Sequence, residues 1–249
     1  MNRFICGICV FALTAAAQMT APRVGVAADG AGRLRPIAGV AGNLIPGAPL
    51  ATGVISAAAS DTAVLAKTRS GILAIQNNRA IRTRAPEGSA LFAFSSSGAP
   101  AFAWLTETRA LLQWTGDGFM ARPIETAAIP GEIVAVGAGD ATHVNFAVRG
   151  NATLEVLRVG LSDGAISAVT SLPFEATALL IQADGSMVYS LPNELVLRGA
   201  GGHERQIAFR GAVSSIVPMS SRWVLIVTNA RRYALRLADA AVAQVPEVK

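Results

Sequence analysis

The chain has 249 residues, of which 52% are hydrophobic and 15% charged. That balance excludes an intrinsically disordered chain and supplies ample apolar material for a core. The formal net charge is +5, yet no basic run is longer than the pair Arg231-Arg232, so a dedicated nucleic-acid surface is not expected.

The first segment reads as a targeting signal. Arg3 supplies a positive start, Phe4 to Leu13 an apolar run and Ala15-Ala16-Ala17 a small-residue cleavage pattern, which together predict a secretory signal peptide over residues 1–17. A cut after Ala28 is the alternative, disfavoured because Arg23 separates it from the apolar run. Cys6 and Cys9 have CxxC spacing, but inside an apolar targeting segment they read as packing residues and not as a redox or metal site. Export to the periplasm or outside the cell follows, with a mature chain free of cysteine and a formal charge reduced to +4 by loss of Arg3. Beyond this segment no apolar stretch reaches the roughly 18 residues of a spanning helix.

Residues 18–32 are rich in Ala, Gly and Pro without a period and predict a flexible leader. Arg33 to Val40 reads as a strand, and Gly42 to Pro49 as a turn-rich connection. Arg35-Pro36-Ile37 followed by Ile45-Pro46-Gly47 echoes Arg122-Pro123-Ile124 followed by Ile129-Pro130-Gly131 at the end of a later repeat. On that analogy the N-terminal strand is an outermost strand with no blade of its own, packing on the last blade.

From residue 54 onward a unit of four short apolar segments recurs five times. Its cleanest copy is Ala176 to Gly211, where Ala183-Asp184-Gly185-Ser186 turns the first run into the second and Asn193 turns the second into the third. The copies start near Val54, Ala90, Ile133, Ala176 and Ser214, and their first turns lie roughly 40 residues apart. In the first copy Asn77-Asn78 is a hairpin turn, since Asn tolerates the left-handed conformation, and Arg82 and Arg84 on the outer strand discourage edge pairing. Trp104 and Trp114 in the second copy are expected to pack between sheets. A single four-stranded sheet cannot cover both its faces, so the copies are expected to ring an axis. The expectation is an all-β propeller of five four-stranded blades forming a single domain over residues 33–249. Ala241 to Val248 and Arg33 to Val40 compete for the outermost position of the last blade.

The turn Ala183-Asp184-Gly185 followed by an apolar strand resembles the Ser-Pro-Asp-Gly hairpin of bacterial WD-repeat-like and YVTN-type β-propellers. By spacing the likeness covers most of residues 51–248. It implies a platform for binding, with hydrolases and lyases as a minority of such proteins.

Catalytic signatures are sparse. GxSxG, HExxH, a phosphate-binding glycine loop and an EF-hand loop are all missing, and two histidines, His143 and His203, cannot build a multi-histidine metal site. His143 reads as a hydrogen-bonded residue near the core and His203 as a solvated loop residue. Asn151-Ala152-Thr153 matches a glycosylation acceptor only as a short pattern.

The joins between repeats carry the strongest pattern, since Pro86-Glu87, Pro130-Gly131-Glu132 and Pro173-Phe174-Glu175 each precede a first strand. Such links emerge on one face of a propeller, which makes Glu87, Glu132 and Glu175 candidate binding residues. Arg109, Arg149 and Arg231 are expected in loops on the same face. The composition favours a noncatalytic, monomeric binding or scaffold module for a protein, peptide or glycan, without cofactor or metal. The alternative is a propeller hydrolase or lyase acting on a polysaccharide or lactone. Two or three acids and a His lining the funnel distinguish the enzyme, and Ala, Ser and Val lining it distinguish the binder.

Overall fold

The computed structural model describes residues 21–77, 79–125, 128–140 and 142–247. The expected signal peptide, with Cys6 and Cys9, lies outside the described residues. Six antiparallel sheets surround an axis. Blade 1 holds β1 (Arg23–Ala28), β2 (Leu34–Val40) and β3 (Asn43–Pro46). Blade 2 holds β4 (Val54–Ala59), β5 (Ala63–Thr68), β6 (Gly71–Gln76) and β7 (Arg79–Arg84). Blade 3 follows with β8 (Ala90–Phe94), β9 (Ala101–Leu105), β10 (Ala110–Trp114) and β11 (Phe119–Arg122). Blade 4 is β12 (Glu132–Ala138), β13 (His143–Arg149), β14 (Leu154–Gly160) and β15 (Ile166–Leu172). Blade 5 is β16 (Leu179–Ile181), β17 (Met187–Leu191), β18 (Glu194–Arg198) and β19 (Glu204–Ala208). Blade 6 is β20 (Val213–Pro218), β21 (Trp223–Thr228), β22 (Arg232–Arg236) and β23 (Val242–Gln244).

The ring therefore has six blades and not the expected five, although the five four-stranded sheets fall where the repeats placed them. The extra blade comes from the N-terminal stretch. Residues 23–28, expected within a flexible leader, form β1 with Val24 and Val26 buried. Gly42 to Pro49, expected as a connection, contains β3. The strand expected as an outermost addition is instead the middle member of its own sheet. It packs on the last blade face to face, where Val24, Ile37 and Leu44 meet Met219, Trp223 and Leu225. The C-terminal segment keeps the outermost position of blade 6, since β23 pairs with β22.

Each sheet is apolar on both faces, so the core is divided into packets between neighbouring blades. Blades 3 and 4 share Phe102, Trp104 and Leu111 against Val136, Val144 and Phe146. Blades 2 and 3 share Leu65 and Ile72 against Phe92 and Trp114. Both tryptophans are buried as expected, and the Trp104 ring meets Phe146 edge to face with centroids 5.3 Å apart. The turns follow the residue chemistry: Asn77 and Asn193 take φ of 49° and 67°. Asp184 accepts from the Ser186 main chain at 2.9 Å while Gly185 takes φ of 83°.

The inner strands β4, β8, β12, β16 and β20 contact one another in sequence, and β20 contacts β4. Blade 1 departs from the pattern. The turn after β1 lies beside the start of β4, with Val54 N–H donating to Gly32 at 2.9 Å, while the start of β1 lies beside the turn that ends β20. β1 thus runs in the direction of a second strand, and blade 1 carries the equivalents of second, third and fourth strands only.

Candidate functional site: the axial channel and its link face

The axis opens on two faces. The turn face carries the connections between first and second strands, and the link face carries the connections between blades together with the turns between second and third strands.

On the turn face a cavity of about 270 Å³ has Phe92, Leu180 and Val224 in its wall and Ser60, Asp61, Ser95, Asp184 and Ser221 at its rim. Asp61 accepts from the Ser221 main-chain N–H at 3.1 Å and from the Ser221 hydroxyl. The Ser221 hydroxyl is the main cause holding the Asp61 carboxyl below its ordinary range, with partial burial opposing it and Arg222 and Arg23 assisting. This contact joins blades 2 and 6 directly.

On the link face a cavity of about 440 Å³ is lined by the starts of the inner strands, including Ile55, Ser56, Leu91, Val134, Ser215 and Val217. Ile55 and Val134 are placed there by β-bulges, because pairing skips from Val54 to Ser56 and from Ile133 to Ala135. The unpaired residue bends the strand and re-aims its side chain. Ile55 is 49% exposed, an unusual cost for an aliphatic side chain at a channel mouth. Neither residue was singled out from sequence, and the only trace there is an apolar residue out of alternation in Val54-Ile55-Ser56 and Ile133-Val134-Ala135.

The link face also carries the three glutamates read from the joins and the three arginines expected in loops beside them. Glu87, Glu132 and Glu175 are exposed on successive links. Glu132 and Arg149 are Cα partners across β12 and β13. The Arg149 guanidinium donates to the Ala176 carbonyl, beside Glu175, and its carbon lies 5.9 Å from the centre of the Phe174 ring. Arg109, at φ of 50°, donates to the Gly131 carbonyl at 3.5 Å. Both arginines therefore tie a turn of one blade to the link that starts the next. Arg231 lies apart, donating to Gln244 at 3.4 Å within blade 6. Glu87 faces the buried Lys67, whose Nζ donates to the Thr68 carbonyl at 2.5 Å. Burial pushes the Lys67 ammonium down and the Glu87 charge partly restores it.

Among the described residues, no three His, Cys, Asp or Glu side chains are grouped to hold a metal ion. His143 is part-exposed on the turn face, its Nδ1 3.0 Å from Asp140 Oδ1. His203 is exposed in the loop before β19. No helix among the described residues is long and apolar enough to cross a membrane.

Fold and site together define a β-propeller with an apolar axial mouth on a face whose links carry exposed carboxylates. Solved structures agree at the level of fold. The chain is similar to TolB from Acinetobacter baumannii, with a TM-score of 0.62 and 10% identity over 90% of this chain and 63% of that one. It is similar to a chain of a nidogen/laminin complex, with a TM-score of 0.59 and 8% identity over 90% and 92%. It is also similar to a catalytically inactive virginiamycin B lyase from Staphylococcus aureus, with a TM-score of 0.51 and 11% identity over 92% and 86%. The chain spans under two thirds of the TolB chain. No family model matches it, and no curated protein matches it in sequence.

Proposed function

We propose that this chain is an exported, noncatalytic binding module that engages a protein, peptide or glycan on its link face. The observation that carries the reading is the lining of the mouth: Ile55, Leu91, Val134 and Val217 with Ser56 and Ser215. Aliphatic and hydroxyl side chains bury a partner's apolar group and orient it, and the charged side chains of the same lining, Asp29 and Arg232, are engaged by Arg33, Arg35 and Glu247. An apolar centre inside a polar rim is the anatomy of a protein-binding patch. Glu87, Glu132, Glu175, Arg109, Arg149 and Arg231 form that rim, setting orientation more than affinity.

Peptide and glycan arrays probed with the labelled chain test this. Ile55→Arg and Val134→Arg are expected to abolish the bound features, and Met120→Arg on the outer strand of blade 3 to leave them. Features insensitive to both mouth substitutions would place binding elsewhere. For export, mass spectrometry of the secreted protein is expected to find an N-terminus at Gln18, and one that retains Cys6 would reject it.

A further inference from the structure

Blade 1 lacks the strand that lines the axis in every other blade, and the link-face cavity extends into its place. Besides the inner strands, its lining includes Ala28, Asp29 and Gly30 from blade 1 and Leu225, Val227 and Arg232 from blade 6. Leu225 is covered by blade 1, but Val227 stays partly exposed where a complete blade would lay an inner strand over it. We propose that this slot is a docking site for an extended, uncharged segment of a partner polypeptide, which completes blade 1 as its inner strand and runs antiparallel to β1. This deepens the reading of the link face as a binding surface and rests on it.

Three observations define the occupant. The first is main-chain polarity. Val26 N–H donates to the Met219 carbonyl at 3.1 Å, so the even-numbered residues of β1 direct their main-chain groups toward the axis. Ala28 stands opposite Leu34, whose own N–H and C=O are bonded to Ala51 and Leu50 on the far side. Ala28 therefore points its N–H and C=O into the slot, as an edge that accepts an added strand does.

The second is length. Met219 and Ser220 close the upper part of the slot, bonding Val26 and Val24 at 3.1 and 2.8 Å. Only the stretch beside Ala28 to Gly30 is open, which holds about three residues at ~3.4 Å each. The third is charge. Asp29 is held by Arg33 at 2.7 Å and Arg35 at 3.1 Å, and Arg232 by Glu247 at 3.1 Å. The charged groups at the slot are already paired, and Val227 and Leu225 line the rest, so the fitting segment carries small apolar residues. The inner strand Val54–Ala59 of this chain, VISAAA, has that composition.

The test uses a fluorescein-labelled synthetic peptide with the sequence of residues 52–60, which carries no charged side chain, and measures anisotropy against the full chain of residues 1–249. Saturable binding in roughly the 10–100 μM range is expected, and a comparison peptide with Ser56→Pro and Ala58→Pro is expected not to bind. Ala28→Pro removes the slot-facing N–H without removing a β1–β2 bond, and is expected to weaken binding about tenfold or more at an unchanged melting temperature. Val227→Trp fills the slot from the opposite wall and is expected to do the same if the proline variant misfolds. No saturation up to about 1 mM, equal binding of the proline peptide, or full binding by both variants would overturn the proposal. Array features that persist in Ala28→Pro and Val227→Trp but vanish in Ile55→Arg would keep the link-face reading and reject the slot alone.

Discussion

Two side chains carry charge where the ring has least tolerance for it. Asp61 fastens blade 2 to Ser221 of blade 6 across the place of the missing strand. A carboxyl held below its unfolded value stabilises the fold above that value, 3.8 for Asp, and the contribution disappears as pH falls through the lower folded value. Asp61→Asn is therefore expected to cost about 1 kcal/mol at pH 7, discounted for exposure. Melts repeated at lower pH are expected to converge with the native protein as pH falls through the lowered folded value, and a gap that stays constant with pH would mean that the carboxylate charge is irrelevant. Lys67 is fully buried, and burial lowers its pKa, so the fold disfavours its charged form. Lys67→Met keeps the volume and discards that charge, at the expense of the bond to the Thr68 carbonyl. The melting temperature at pH 7 is expected to hold or rise. A fall of about 5 °C or more would show that the ammonium is worth more than its desolvation.

At the scale of the element, the blade interfaces decide stability and the turns decide what can be read. Trp104 reaches across from blade 3 to Phe146 of blade 4 with almost none of its surface in water. Trp104→Ala is expected to cost about 3–5 kcal/mol in denaturant unfolding, with a coupling to Phe146→Leu of about 1 kcal/mol in a double-mutant cycle. β1 lies so close to blade 6 that a Cβ on Gly25 would stand 2.2 Å from the Met219 carbonyl oxygen. Gly25→Ala is thus expected to push the two blades apart at a cost of about 2 kcal/mol or more, measured the same way. The five four-stranded blades are legible because turn residues such as Asp184-Gly185 and Asn193 interrupt runs of strand formers at a steady period. Blade 1 is illegible for three physical reasons. It has no first turn to keep the period, its β3 is four residues long, and Ala and Gly between residues 25 and 32 mask the buried valines. The repeated Pro and Glu of the links mark where the chain passes from blade to blade, and so which residues share the link face. The apolar centre of that face has no such mark, since a bulge at Ile55 or Val134 is a matter of pairing and leaves the composition unchanged.

The whole molecule closes without any sheet being shared between the two ends of the chain. β20 approaches β4 at the axis, and further out blade 1 fills the wedge between blades 6 and 2. On one side of that wedge it covers Met219, Trp223 and Leu225, and on the other Val54, Val64 and Leu73. If closure depended on the inner strands alone, blade 1 would be an ornament and the five-bladed ring expected from the repeats would stand by itself. The packets argue otherwise, because a sheet with one uncovered apolar face is the situation that ring formation relieves. A chain beginning at Pro49 keeps all five four-stranded sheets and the Asp61–Ser221 contact, yet opens both faces of the wedge to water. It is expected to lose its single sharp unfolding transition, bind a hydrophobic dye at neutral pH and associate through the exposed faces in sedimentation. A monomer that unfolds in one cooperative step at the melting temperature of the full chain would show instead that five blades suffice. The slot beside Ala28 would then be an accident of an appended sheet.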